Sequence, residues 1–454
     1  MSRVVVIGAG IMGLAAAYRA ALNGHEVDVV EAAPEAGGMA GHFDFGGISI
    51  ERFYHFVCKT DGPTFDLLDE LGLTDKLHWV PTTMGFFNEG RLYSWGDPLS
   101  LLNFPKLSLF NKVRYGVFAL ICVRRNRWPS LERKTARHWI LRWCGPEIYE
   151  RFWKPLLDYK FYEYGEDISA AWIWTRIRRV GRSRRSILQE ELGYIEGGSI
   201  TLVNALAERI SAHGGRIRLG EPATRVVVEH GRVTGVHTRS CYLAADAVIS
   251  TAPTPYISSL VPDLPQQWRD RYDAIRNIGV ICVILRLRRS VSPHFWVNIS
   301  QADLQIPGII EFSNLRKTGD DAIVYVPYYM PVTHEKFSRP DQELVNDAFA
   351  CLQRINPALT CEDIVDTKVA RLRYGQPVCE ANFASKIPPV QTPIKGLQIA
   401  DTCFYYPEDR GIAESVRLGL RMAADLGSAN HSGVARDGTA LQQKSGHWLH
   451  NHCT

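Results

Sequence analysis

The sequence lacks the marks of several protein classes. Its 10 cysteines form no C-x-x-C pair and no metal-ligand spacing, so nothing predicts a metal site. A formal net charge of only +4 on 454 residues does not suit a nucleic-acid-binding protein, which needs a dominant basic surface. The apolar stretch at 113–123 is shorter than the about 20 residues of a membrane span. The first apolar strand begins at Val4 and leaves no room for a signal peptide, so we expect a cytoplasmic protein with reduced thiols.

The amino-acid composition is that of a folded protein. Hydrophobic residues make up 46% and charged residues 22% of the chain, which is typical of a globular interior and surface. Because 454 residues exceed one ordinary domain, we expect two lobes with ample buried cores.

The strongest motif lies in the first forty residues. The apolar run Val4–Ile7 predicts a parallel strand buried on both faces, and it leads into Gly8, Gly10 and Gly13, spaced G-x-G-x-x-G. The first glycine permits a tight turn, the second lets a pyrophosphate approach the backbone, and the third lets the next helix pack closely. The N-terminus of that helix is then available to phosphate.

The context of the motif supports a dinucleotide site. A helix is expected over 14–23 and a second strand over Val27–Val30, which ends at Glu31. An acidic residue about 20 positions after the glycines is where a ribose-binding carboxylate is expected. The alternative is an ordinary βαβ turn without a ligand.

The residues after this carboxylate indicate which dinucleotide binds. The stretch EAAPEAGGMAG at 31–41 resembles the E-A-(four residues)-G-G signature of flavoproteins in the flavin amine oxidase, phytoene desaturase and protoporphyrinogen oxidase superfamily. The resemblance implies FAD as cofactor. It also implies an α/β fold in which a Rossmann-like FAD-binding domain of the glutathione-reductase type carries an inserted α+β substrate domain.

Two later blocks resemble the same superfamily. In the second, the residue matching Val226 contacts the adenine end through its backbone. In the third, Asp401 matches the aspartate of the ribityl and pyrophosphate region, and the helix from about Gly411 directs its N-terminus at the flavin. The cofactor-binding residues that the resemblance implies are Gly8, Gly10, Ile11, Met12, Gly13, Glu31, Ala32, Gly38, Met39, Ala40, Val226, Asp401, Gly411 and Ile412.

The blocks also divide the chain. We expect residues 1–84, 187–264 and 386–426 to form the FAD-binding domain, 85–186 and 265–385 the substrate domain, and 427–454 a flexible tail. Tryptophans and other aromatics between Trp139 and Trp174 either line an apolar pocket or pack as a helical core. Tyr325, Tyr328 and Tyr329 either reach that pocket or pack within a sheet.

His55 is the candidate catalytic residue. With Tyr54 it lies on a segment that runs along the flavin side of the fold in the superfamily. The alternative is a structural histidine, which is commoner in an aromatic strand.

Two segments suggest contact with a membrane. Residues 113–123 are apolar and flanked by arginine and tryptophan, which suits either a helix in a membrane interface or a buried helix whose arginines reach water. In 176–185, RIRRVGRSRR, six of ten residues are arginine. This run suits phosphate or anionic lipid, or else forms a solvated charged face.

The resemblance implies an FAD-dependent oxidoreductase. We expect hydride transfer between flavin N5 and a bulky, apolar, isoprenoid or lipid-linked substrate, in a protein that is cytoplasmic or at the membrane surface. No second strand-linked G-x-G-x-x-G is present, so oxygen, a quinone or a transient reductant would regenerate the flavin. The alternatives are a reduced-flavin isomerase resembling UDP-galactopyranose mutase, an amine oxidase, and a flavin-bearing scaffold without turnover.

Overall fold

The computed structural model describes residues 1–301 and 303–428. Its strands are β1 (Arg3–Ile7), β2 (Glu26–Val30), β3 (His42–Asp44), β4 (Ser49–Glu51), β5 (Leu77–Thr82), β6 (Met84–Asn88), β7 (Arg91–Trp95), β8 (Arg184–Ser186), β9 (Gln189–Ile195), β10 (Arg216–Arg218), β11 (Ala223–Glu229), β12 (Arg232–Thr238), β13 (Tyr242–Ala244), β14 (Ala247–Ser250), β15 (Asn277–Leu287), β16 (Trp296–Ser300), β17 (Gly308–Glu311), β18 (Ala322–Met330), β19 (Ile364–Pro377) and β20 (Leu397–Ile399).

The helices alternate with these strands. They are α1 (Ile11–Leu22), α2 (Gly62–Glu70), α3 (Pro98–Asn103), α4 (Leu109–Arg124), α5 (Pro129–Glu132), α6 (Ala136–Cys144), α7 (Pro146–Ile148), α8 (Lys154–Phe161), α9 (Ala170–Arg182), α10 (Ser199–Ala212), α11 (Ile257–Leu260), α12 (Gln266–Asp273), α13 (Asp341–Ile355), α14 (Phe383–Lys386) and α15 (Ile412–Ser428). The tail expected at 427–454 lies outside the described residues from position 429 onward.

A five-stranded parallel sheet, ordered β10-β2-β1-β14-β20, organises the first lobe. Val4 and Val6 of β1 face one hydrophobic core with α1, α10 and α15, whereas Val5 and Ile7 face a second core that includes the β11–β13 sheet. Both faces of β1 are therefore covered, which is why its sequence is a continuous apolar run. The predicted α/β fold and buried first strand are confirmed.

Two glycines let the helices approach this sheet and each other. A Cβ on Gly13 would lie 1.9 Å from the carbonyl oxygen of Gly8, and one on Gly419 would lie 2.2 Å from that of Met12. A larger residue at either position would push α1 from the first turn or α15 from α1. Helix α1 begins at Ile11, three residues before the predicted start, because Gly10 serves as its N-cap.

A seven-stranded mixed sheet, ordered β19-β15-β18-β17-β16-β6-β7, forms the second layer. All its pairs are antiparallel except β16 with β6. Strands β6 and β7 thus join a sheet whose other members lie some 200 residues later, between Asn277 and Pro377. Strand β8 pairs instead with β9, in a separate three-stranded sheet ordered β5-β9-β8. The predicted domain boundaries stay a proposal.

Helices α4 to α9 form a bundle beside the second sheet. Trp139, Trp172 and Trp174 are buried in its core, with Trp172 and Trp174 each only 1% exposed. For these residues the helical-core interpretation is the right one. None of the helices in residues 1–301 and 303–428 has the length and apolar character that a bilayer crossing requires.

Candidate active site

One cavity of about 760 Å³ opens where four parallel strands end. Residues that directly follow β1, β2, β14 and β20 form its first wall. Ligands of open α/β sheets bind outside the carboxyl ends of the strands, so this wall is where a nucleotide is expected. The residues of this wall include Gly8, Gly10, Ile11, Met12, Glu31, Ala32, Gly38, Met39, Ala40, Thr251, Asp401, Gly411 and Ile412.

The glycine turn leaves backbone open to the cavity. Gly8 has a φ of +102°, and a Cβ there would lie 2.4 Å from the hydroxyl oxygen of Thr251. Gly38 has a φ of +58°, and its Cβ would lie 3.1 Å from the Cα of Gly10. The Gly10 N-cap of α1 offers no side-chain acceptor to the first helical amides. These amides can therefore bind a phosphate oxygen.

Glu31 is held in place by the same turn. Its carboxylate accepts hydrogen bonds from the backbone amides of Ala9, at 2.7 Å, and Ala33, at 2.8 Å. The amide of Gly37 donates to the carbonyl of Ala9 at 2.8 Å, which ties the Gly37-Gly38 pair to the turn. The carboxylate is thereby fixed at the cavity wall, where its ribose-binding role stays a prediction.

Asp401 and helix α15 complete the first wall. The Asp401 carboxylate, 5% exposed, accepts hydrogen bonds from the amides of Cys403, at 2.8 Å, and Thr254, at 2.7 Å. The N-terminus of α15 lies at the cavity through Gly411 and Ile412. A helix N-terminus carries partial positive charge, so it stabilises negative charge on a ligand placed against it.

Two predicted cofactor residues lie away from the cavity. Gly13 packs against Gly8 and serves the turn rather than the ligand. Val226 belongs to β11, and its side chain is fully buried in a hydrophobic core. The residues of this region that line the cavity are Pro222, Ala223 and Thr224. Strand β11 thus meets the cavity at its start, and the predicted backbone contact of Val226 with the cofactor stays a prediction.

His55 lines the cavity and is otherwise enclosed by protein. Its Nδ1 atom is buried without a hydrogen-bond partner in the described part of the chain. Removal from water lowers the pKa of His55 to about 4, so the imidazole is neutral at pH 7. A neutral ring can exchange a proton with a ligand, but its catalytic role stays a prediction.

The second wall of the cavity is aromatic and aliphatic. The rings of Tyr54 and Trp296 meet edge to face with centroids 5.5 Å apart. The seven-stranded sheet supplies most of the remaining surface. Residues of this wall are Phe53, Tyr54, Phe56, Val280, Cys282, Trp296, Pro327, Tyr329, Leu372 and Tyr374. Such a surface suits a bulky apolar ligand.

Only part of the aromatic prediction is met. The aromatics between Trp139 and Trp174 do not line the cavity. Tyr329 does, whereas Tyr325 donates a hydrogen bond to the carbonyl of Glu51 at 2.8 Å, and Tyr328 packs under Lys336.

Three cations stand where the two walls meet. We call Lys160 of α8, Arg176 of α9 and Arg410 the cationic corner, and all three line the cavity. Arg176 pairs with Asp409, and Lys160 Nζ lies 4.0 Å from the same carboxylate. Arg410 donates to the carbonyl of Gly375.

Only one member of the cationic corner, Arg176, lies in a segment that the sequence analysis singled out. Arg176 lies in the arginine run, but the run is not one charged face. Arg179 pairs with Asp61 through bonds of 3.1 and 2.6 Å, and Arg182 donates to the carbonyl of Val123 at 2.9 Å. No sequence signal marks Lys160, a lysine on a short helix far from every motif.

The fold and the site define a dinucleotide-binding protein with an adjoining apolar cavity. The open glycine turn, the uncapped first turn of α1 and the fixed carboxylates fit a flavin dinucleotide. The chain belongs to the flavin containing amine oxidoreductase family, whose model matches residues 11–400. The predicted family is confirmed, and FAD is the cofactor. No group of three or more residues suited to a metal ion occurs in the described ranges.

Two carotenoid desaturases are similar to this chain in sequence, and a solved structure is similar in fold. Zeta-carotene desaturase of Solanum lycopersicum is 26% identical in an alignment 361 residues long, which covers 72% of this chain but only 59% of that protein. The neurosporene-forming phytoene desaturase of Cereibacter sphaeroides is 26% identical over 419 residues, 83% of this chain and 77% of that one. A putative protoporphyrinogen oxidase from Exiguobacterium sp. 255-15 shares the fold, with a TM-score of 0.73 at 18% identity over 93% of this chain and 98% of that one.

Proposed function

We propose that the chain is an FAD-dependent oxidoreductase that oxidises, desaturates or reduces a bulky, mainly apolar substrate of the isoprenoid or lipid-linked class. The observation that carries the proposal is the cavity itself. It joins the glycine turn and Asp401 to an aromatic wall without a break. The carotenoid desaturases among the relatives support an apolar substrate.

The protein's part in this chemistry is to bind and orient. When bound, FAD supplies the two-electron chemistry, so no acidic or basic side chain is obligatory. The amides at Gly10 and the N-terminus of α15 provide positive potential at the two ends of the first wall. The aromatic wall excludes water and presents the substrate, while neutral His55 is available to hold or move a proton at its ring nitrogens.

The cationic corner bears on the alternatives. Lys160, Arg176 and Arg410 repel the ammonium group of an amine, which makes an amine oxidase the weaker proposal. The same cations suit the pyrophosphate of a sugar nucleotide, so the isomerase resembling UDP-galactopyranose mutase is the second candidate.

Anaerobic spectroscopy separates these functions. The purified protein, loaded with FAD, is mixed with isoprenoid alcohols and hydrocarbons, amines and UDP-galactopyranose in turn. Bleaching of the flavin bands by the first group alone supports the proposal, and bleaching by amines alone contradicts it. Turnover of UDP-galactopyranose only after dithionite reduction indicates the isomerase. A flavin that no compound reduces or turns over indicates a scaffold.

We also propose that the protein is cytoplasmic and touches a membrane surface. The nine cysteines in the described ranges are unbridged, in keeping with a reducing compartment. Helix α4 is half-buried, with Phe118 inside, while Leu109, Phe110 and Val113 are 68%, 72% and 56% exposed. Lysines and arginines at 106, 112, 124, 125 and 127 surround this apolar face, a pattern that suits an anionic interface.

Vesicle binding tests this proposal. We expect the protein to co-sediment with vesicles containing phosphatidylglycerol, and Phe110→Ser with Val113→Ser to reduce the bound fraction at least threefold. Ile187→Ser, at a residue 74% exposed on another part of the surface, is the matched control and should leave binding unchanged. Equal binding of all three proteins would contradict the proposal.

A further inference from the structure

The cationic corner holds more charge than its carboxylate partner balances. Among the ion pairs of residues 1–301 and 303–428, Asp409 is the one carboxylate that pairs with any of its three members. Glu408 also lines the cavity, but its charged neighbours are Glu414, Arg178, Arg179 and Arg417, none of which belongs to the corner. The three cations of the corner therefore share a single paired carboxylate, whereas Arg179, the other cation of the lining, pairs with Asp61.

One guanidinium nitrogen of each arginine already has a protein partner. Arg410 donates to the carbonyl of Gly375 and approaches the sulfur of Met39 at 3.9 Å. Arg176 pairs with Asp409 and lies over the ring of Trp172, with 4.8 Å between the guanidinium carbon and the ring centroid. These contacts fix both guanidinium groups at the cavity wall.

Lys160 is different. It is only 6% exposed, and its Nζ has no hydrogen-bond acceptor within the described residues, because Asp409 at 4.0 Å is too distant for one. The nitrogen lies 5.2 Å from the ring centroids of both Trp172 and Tyr329, and the side chain borders the cavity. A buried amine with three donors and no acceptor is costly unless a ligand supplies the acceptor.

The electrostatics agree with that geometry. Burial, then the charges of Arg176 and Arg410, lower the pKa of Lys160 well below its usual value. The other titratable groups near its nitrogen are Asp409, the phenol of Tyr329 and the thiol of Cys379, and burial keeps that thiol protonated. An anion placed beside Nζ would raise the pKa of Lys160, so at a pH between its free and bound pKa values anion binding is coupled to proton uptake.

We propose that Lys160, supported by Arg176 and Arg410, binds an oxyanion, a carboxylate or a phosphate, at one end of an otherwise apolar substrate. The proposal rests on the proposed function and narrows its substrate class from plain hydrocarbons to apolar chains with an anionic head. The aromatic wall at Tyr54, Trp296 and Tyr329 takes the chain, and the cationic corner takes the head.

Head-group selectivity tests the proposal on the FAD-loaded protein. Dodecanoate, dodecyl phosphate and dodecanol, each below its critical micelle concentration, are titrated while the flavin absorption spectrum is followed. We expect at least one of the two anions to bind tenfold or more tightly than dodecanol, and the tighter one identifies the head. Equal affinities for all three would overturn the proposal.

Variants assign the selectivity to Lys160. Lys160→Met should bring the affinity ratio of anion to alcohol close to one, and Lys160→Arg should retain most of it. Lys336→Met is the matched control, because Lys336 also lies over a tyrosine ring, at 4.1 Å from Tyr328, but outside the cavity. Unchanged selectivity in Lys160→Met would overturn the proposal.

Calorimetry in buffers of different ionisation enthalpy measures the number of protons taken up on anion binding. We expect proton uptake on anion binding by the wild type and none by Lys160→Met, whereas a lysine that only supports the fold would not produce this difference. If Lys160→Met does not fold, the wild-type selectivity and the Lys160→Arg variant still decide. Because binding is measured without turnover, failure of the oxidoreductase proposal would appear separately, as flavin that no substrate reduces.

Discussion

Substituting the glycines of the turn separates cofactor binding from folding. Gly10 has a φ of −72°, and a Cβ there would meet only the Cα of Gly38, at 3.9 Å. Alanine therefore fits the protein itself, at a loss of about 1 kcal/mol or less of helix N-cap stability. Its methyl group would instead project into the cavity at the expected pyrophosphate position. Overpacking of about 1–3 kcal/mol weakens FAD binding roughly 5- to 150-fold.

Gly13→Ala is the matched contrast. Its Cβ would lie 1.9 Å from a backbone oxygen that cannot move without shifting β1 from α1. We expect a loss of unfolding free energy of about 3 kcal/mol or more. FAD fluorescence quenching measures the dissociation constant, and urea unfolding of the FAD-free protein measures stability. The reasoning is refuted if Gly10→Ala binds FAD as the wild type does, or if Gly13→Ala is as stable as the wild type.

Two further predictions concern buried charge. Burial raises the pKa of Glu190 to about 7, despite its hydrogen bond from Thr82. The protonated Glu190 side chain therefore stabilises the folded state fully at pH values below its unfolded pKa. This contribution to the free energy of unfolding, roughly 3 kcal/mol, is lost as pH rises through 7. Urea unfolding at pH 5 and pH 8 should show this loss in the wild type and much less in Glu190→Gln; equal losses would contradict it. Asp61→Ala should cost about 3 kcal/mol, because it leaves the guanidinium of Arg179 without its partner, whereas the surface control Asp263→Ala should cost less than about 1 kcal/mol. Similar urea midpoints for these two variants would refute the argument.

The first lobe could be predicted because its signals are local. The strand, glycine turn, helix and Glu31 lie within one short stretch, and each residue type has a direct backbone reason. Turn chemistry and helical periodicity likewise depend on neighbouring residues, as in the hairpin between β11 and β12 and in helix α13. Asp401 needed the resemblance to a family.

The cavity could not be predicted in the same way. Its second wall combines Tyr54, which follows β4, with Trp296 of β16 and Tyr329 of β18, and only the tertiary structure brings these distant segments together. An aromatic-rich stretch gives no indication of which rings face a cavity, so the tryptophans of α9 were equally good candidates. Lys160 has no distinguishing neighbours in sequence. Its significance comes from Arg176, Arg410 and burial, which are properties of the tertiary structure alone.

We propose above that one cavity holds FAD against an apolar substrate. The most direct measurement is the visible absorption spectrum of the purified protein after FAD addition, followed anaerobically as isoprenoid and lipid candidates are added. We expect oxidised-flavin bands that stay with the protein through gel filtration and bleach with an apolar substrate. A protein that remains colourless and cannot be reconstituted with FAD would contradict it.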